Sequence, residues 1–120
     1  MSSDGTLTGG RLNAAVANEI GKVVADFTGR DATKSRAFIH QNLVVCLLED
    51  GATKAERSLL AAGREDLVRV QRDALQRAME QQLAECVERL TGRKVCTFLS
   101  GISTDGESSV ALFVLEPATS

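Results

Sequence analysis

The side chains that could do chemistry in this chain are few. His40 is its single histidine. A lone imidazole cannot build a multi-histidine metal site, and no Asp, Glu or Cys stands at ligand spacing around it. As a general base it would need a nucleophile or a substrate pocket beside it. At the end of an apolar run it reads instead as a hairpin-end residue satisfied by backbone or water, or as part of a partner interface. Ser100, Ser103 and Thr104 gather near Asp105, but a turn favours those residue types on its own account. No G-x-S-x-G elbow frames any serine. Cys46, Cys86 and Cys96 include no C-x-x-C pair, which argues against zinc. Each lies in an apolar strand or helix pattern, so all three are read as reduced core residues. A Cys46–Cys96 disulfide between neighbouring strands is the alternative.

The sharper candidate is basic. Thr28-Gly29-Arg30 and Thr91-Gly92-Arg93 repeat one motif at the ends of two apolar-periodic segments. Brought together by pseudo-symmetry, Arg30 and Arg93 with Lys34, Arg36 and Lys94 would form a cationic cluster near His40. Such a cluster could hold an anion or an acidic partner surface. The competing reading makes Gly29 and Gly92 helix C-caps and lets the arginines offset the negative end of the helix dipole. Neither G-x-x-x-x-G-K-[ST] nor G-x-G-x-x-G occurs in a phosphate-binding context.

The elements that must position these residues follow from periodicity. Leu12, Val16, Ile20, Val23, Val24 and Phe27 recur at three- and four-residue spacing, which predicts a helix from about Arg11 to Thr28. Ala37–Ile39 and Leu43–Leu48 are apolar runs separated by His40-Gln41-Asn42. Asn tolerates left-handed backbone, so a tight hairpin is expected there. Leu43–Leu48 is apolar on both faces, which predicts a strand covered on both sides. Thr53 and Glu56 make a capping box, opening a short helix that stops at Gly63. A helix of about 26 residues, roughly 39 Å, follows from Glu65 to Leu90. Its stripe is Val68, Leu75, Met79, Leu83, Cys86 and Leu90, widened by Leu67, Val70, Ala74, Ala78 and Val87. Arg69, Arg72, Asp73, Arg77, Glu80 and Glu88 are expected to face solvent. A third strand is read at Val95–Leu99, a turn at Thr104-Asp105-Gly106-Glu107, and a fourth strand at Ser108–Glu116, ended by Pro117. That last strand carries Val110, Leu112 and Val114 on one face and Ala111, Phe113 and Leu115 on the other.

The order is α-ββ-αα-ββ, a pseudo-repeat of helix, Thr-Gly-Arg and hairpin. It predicts an α+β fold with a mostly antiparallel four-stranded sheet and helices on one face. The other sheet face would then be apolar and in need of cover, which predicts a homodimer. The domain is read as residues 11–117, with 1–10 a disordered Ser/Gly/Thr-rich tail.

Composition narrows the function further. At 120 residues the chain is one domain, with a modest core. Four Phe and no Trp or Tyr make that core aliphatic. A net charge of −2 with acids and bases interspersed argues against nucleic acid, whose binders show a basic field. The N-terminal residues lack the basic and apolar regions of a signal peptide. The apolar runs fall far short of the roughly 18 residues of a membrane span. A cytoplasmic protein is expected, with any membrane link made through a partner.

Ile39–Glu49 followed by Thr53-x-x-Glu56, and Leu90–Val95 followed by Leu99–Thr104 and Val110–Glu116, resemble a small prokaryotic family, once a domain of unknown function and now named MpsC. The resemblance runs from about Leu12 to Glu116. The chain departs from the family's pattern in having Gln41-Asn42 at the hairpin turn, where Gly-Asp is common. The family's name refers to a sodium-translocating, membrane-potential-generating system. The resemblance therefore implies a non-catalytic accessory or interaction protein beside an ion-translocating membrane complex. It brings no catalytic residues, cofactor or metal. The alternative is a small-anion or nucleotide-binding regulator that uses the basic cluster at the helix–hairpin junctions.

Overall fold

A computed structural model describes residues 9–29, 34–49, 53–103 and 108–117. Three helices, α1 (Gly9–Thr28), α2 (Lys54–Ala61) and α3 (Glu65–Thr91), accompany four strands, β1 (Lys34–His40), β2 (Leu43–Glu49), β3 (Val95–Ile102) and β4 (Ser109–Leu115). All strand pairs are antiparallel, in the order β1-β2-β4-β3. The α+β architecture with helices packed on the sheet is as the periodicity predicts. The two hairpins lie head to tail on either side of the β2–β4 seam, so the sheet has a pseudo-two-fold axis at its centre.

The core forms where α1 and α3 lie side by side on one face of the sheet. Val16, Ile20 and Val24 of α1 and Met79, Leu83 and Val87 of α3 recur every four residues, so each set forms one ridge. The ridges bury against Val44, Cys46 and Leu48 of β2 and Ala111, Phe113 and Leu115 of β4. Each large side chain buried there contributes roughly 1.5–3 kcal/mol. Ala17, Gly21 and Ala37 are also buried. Their small size lets α1 approach β1 closely enough for the Ser35 hydroxyl to donate to the Ala17 carbonyl at 2.7 Å. Strand β1 begins at Lys34, three residues before the apolar run. Helix α1 likewise begins at Gly9, inside the stretch expected to be tail.

The two Thr-Gly helix ends are built alike. Gly29 and Gly92 have φ of 69° and 70°, and their amides donate to Ala25 and Glu88. Thr28 and Thr91 each donate a hydroxyl proton to the carbonyl four residues back, at 2.7 Å. The capping reading of the two glycines therefore holds.

The structure departs from the sequence reading at further places. Gln41, not Asn42, takes the left-handed conformation of the β1–β2 turn, with φ 53°. Asn42 is used as an acceptor instead: its carbonyl receives the Leu115 amide. Strand β3 runs on to Ile102, and a bulge after Val95 lets Val95 and Phe98 both face the core. The extra residue of that bulge is Cys96, which is exposed rather than core. All three cysteines are free, so the Cys46–Cys96 disulfide is not formed. Finally, Arg72 does not face solvent. It is 4% exposed and lies on the apolar stripe between Val68 and Met79. Glu88, also assigned to the solvent face, is half-buried and accepts the Val95 amide at 2.9 Å.

Candidate functional site

The described members of the predicted basic cluster do not converge. Arg30 lies outside the described residues, as do Thr104 and Asp105. Lys34 and Arg36 sit at one end of β1, where Arg36 Nη2 is 3.3 Å from Glu49 Oε1. His40 sits at the other end, exposed, with Arg93 and Lys94 nearby in the fold. Seven residues of strand set the two ends about 20 Å apart.

Arg93 has a structural occupation. It donates from Nη1 to the Gln41 carbonyl at 2.8 Å, from Nη2 and Nε to the Glu116 carbonyl at 2.7 and 3.2 Å, and from Nη2 to Asn42 Oδ1. The guanidinium thus fastens the β1–β2 turn to the end of β4. Lys94 is exposed, and its carbonyl accepts the Glu116 amide at 2.8 Å. Ser103 closes the β3–β4 connection: its hydroxyl accepts the Ser108 amide at 3.0 Å. Burial pushes the Cys46 thiol up to about 12, which keeps it protonated and inert at neutral pH. Among the described residues, no group of His, Cys, Asp and Glu could hold a metal ion. An enclosed cavity between α3 and the sheet, beside Leu75, Met79 and Phe98, has a volume of only about 30 Å³. That is room for a water or two rather than a metabolite.

One feature escaped the sequence reading, and a second was foreseen only in outline. The first is the pair Glu56–Arg72. Arg72 Nε meets Glu56 Oε2 at 2.8 Å and Nη2 meets Oε1 at 3.0 Å, with both residues 4% exposed. The same carboxylate completes the α2 capping box by accepting the Thr53 amide at 2.8 Å. The available signal was that Arg72 stands four residues after Val68, on the apolar stripe. This pair binds the α2–α3 hairpin, which overhangs the sheet and exposes Leu67 and Val70.

The second feature is the sheet face turned away from the helices. Its side chains form a grid of three rows in register across β1, β2, β4 and β3. The central row is Phe38–Val45–Leu112–Leu99. One flanking row is Arg36–Leu47–Val110–Gly101 and the other His40–Leu43–Val114–Thr97. Phe38 and Leu99, at the two edges, are 57% and 58% exposed. Among the described residues no element covers this face. The sequence signal for it is the double apolar pattern of β2 and β4. What the pattern could not show is that the rows align into one surface.

Fold and surface together define a small α+β protein with a pseudo-symmetric sheet, one helical layer and a bare apolar face. Residues 8–117 match the family described as Na+-translocating membrane potential-generating system (MpsC). The chain belongs to that family. No curated protein and no solved structure matches it. The family's name links the chain to a Na+-translocating system and specifies no reaction. No helix among the described residues is long and apolar enough to cross a membrane.

Proposed function

We propose that this chain is a non-catalytic accessory protein of a Na+-translocating, membrane-potential-generating system, working on the cytoplasmic side by binding protein. The observation that supports this reading is the apolar grid on the open sheet face. A surface of that size and composition, rimmed by Lys34, Arg36, His40 and Glu49, is the kind that marks an interaction site. The overhanging α2–α3 hairpin, with Leu67 and Val70 exposed, offers a second contact surface. The anion-binding alternative has less behind it, because Arg93 is engaged with carbonyl oxygens and stands far from Lys34 and Arg36.

The test is co-purification of the tagged chain with the system's membrane subunits in detergent. The expected result is co-elution that Val70→Asp abolishes while the far-ultraviolet circular dichroism stays unchanged, with Leu99→Asp as the matching probe of the sheet face. Failure of the unmodified chain to bind those subunits at tens of micromolar would overturn the proposal.

A further inference from the structure

We infer that the open sheet face is covered by the same face of a second copy of this chain, the two sheets stacking about a two-fold axis that runs along the strands. This rests on the interaction reading above and names the occupant of one of its surfaces. The hairpin is left free for the membrane partner.

Area supports a second copy. Four strands about 4.8 Å apart and seven residues of about 3.4 Å give a face of roughly 19 by 24 Å. Two such faces bury about 900 Å² before side-chain relief is counted, close to the roughly 1,000 Å² at which specific interfaces begin.

Shape selects the axis. The grid is lopsided: β1 contributes Arg36, Phe38 and His40, whereas β3 contributes Gly101, Leu99 and Thr97 along the same rows. A two-fold along the strands lays β1 over the partner's β3. Arg36 then lies over the partner's Gly101, Phe38 over the partner's Leu99, and His40 over the partner's Thr97. Bulk meets space in the two flanking rows, while in the central row Phe38 packs on the partner's Leu99 and Val45 on the partner's Leu112. An axis across the strands would instead stack Phe38 on its own copy and Arg36 against the partner's His40. The β1 edge would be crowded, and the β3 edge would hold only Leu99 against its own copy.

Charge selects the same axis. On this face the cationic residues Lys34 and Arg36, with His40, all lie on β1. The proposed arrangement sets them against a strand whose facing residues are neutral. The alternative sets Arg36, already paired with Glu49 at 3.3 Å, against the partner's His40 rather than against a glycine. Sheets stacked in this way lie about 10 Å apart, with strand directions within about 30°.

The experiment has two readouts on the full chain. Sedimentation from about 1 to 200 µM should show a species of twice 12.8 kDa becoming the majority. Leu99→Asp should hold the chain monomeric across that range with circular dichroism unchanged. Crosslinking then tests the axis. In a Cys96→Ser background, a mixture of Phe38→Cys and Leu99→Cys proteins should give a covalent dimer with a short bis-maleimide, and neither protein alone should. A monomer at 200 µM overturns the inference. If Leu99→Asp still abolishes capture of membrane subunits in that case, the interaction reading survives without the dimer; if capture is unaffected, the sheet face loses its place in that reading too. Efficient crosslinking of Phe38→Cys to itself overturns the axis.

Discussion

Replacing Arg72 by Met should cost this small domain a large part of its stability. The guanidinium makes two charge-assisted hydrogen bonds to Glu56, at 2.8 and 3.0 Å, and both residues are 4% exposed. Met fills much of the volume but leaves the carboxylate buried without its cation. Removing one partner of a buried pair costs about 3–5 kcal/mol, against a total of about 5–15 kcal/mol for a domain. The damage should begin locally. Helix α2 has eight residues, too few to stand alone in water, and α3 is the element it packs on. Amides of Lys54–Ala61 should therefore lose hydrogen-exchange protection first. Combining Arg72→Met with Glu56→Leu removes the stranded charge. The double variant should be at least about 2 kcal/mol more stable than the sum of the two single losses implies, leaving mainly the cost of the lost cap, about 1 kcal/mol. The assay is urea denaturation of the four proteins in a double-mutant cycle. A loss below about 1 kcal/mol for Arg72→Met, the range of an exposed pair, would refute the reasoning. Strict additivity would refute it too.

Arg93→Ala should lower stability by about 1–2 kcal/mol, because the carbonyls of Gln41 and Glu116 are exposed and water replaces part of what is lost; Arg93→Lys should restore little, since one ammonium cannot span Gln41, Asn42 and Glu116, and urea midpoints will show both. Gly92→Ala should cost about 1–2 kcal/mol by forcing a Cβ into the left-handed conformation at φ 70°; because open space surrounds that position, a larger loss in thermal unfolding would contradict the cap as the cause. In the folded protein a neutral-pH thiol reagent should label Cys96 rapidly and Cys46 only after unfolding. Because burial raises the Cys46 thiol from its ordinary 9.0 to about 12, the unfolded chain loses that proton first, so stability should fall as pH rises from about 9 towards 12 and be insensitive to this group below 9; Cys46→Ala should remove that slope.

Element order and type were readable because each follows from local spacing: the ridge Val16-Ile20-Val24, the box Thr53–Glu56 and the alternation of β4 act within one segment. The misplacements share a different cause. Arg72 was assigned to solvent on charge alone, because its partner comes from α2 and no periodicity in α3 reports it. Cys96 was placed in the core because a bulge shifts strand phase by one residue, and the bulge depends on pairing with β4. The supposed meeting of the two Thr-Gly-Arg junctions failed for the described residues through topology. Head-to-tail hairpins send matching ends of the repeat to opposite ends of the sheet. The bare face was legible as composition, while its row-by-row alignment depends on the registers of three strand pairs.

The seam between β2 and β4 also governs how the chain must assemble. Each hairpin closes locally, β1–β2 through a two-residue turn, whereas Cys46 finds Ala111 from across more than half of the chain. Loop closure of that span is entropically costly, so the seam should form late in folding. Until it does, β2 presents Leu-Val-Val-Cys-Leu-Leu as an unpaired apolar edge, open to the β4 of another molecule. At high concentration the same pairing made between chains yields an exchanged dimer, with its seams built in trans and both halves otherwise native. Such a species would be kinetically trapped, because separating it requires both seams to open. Refolding yield should therefore fall with protein concentration.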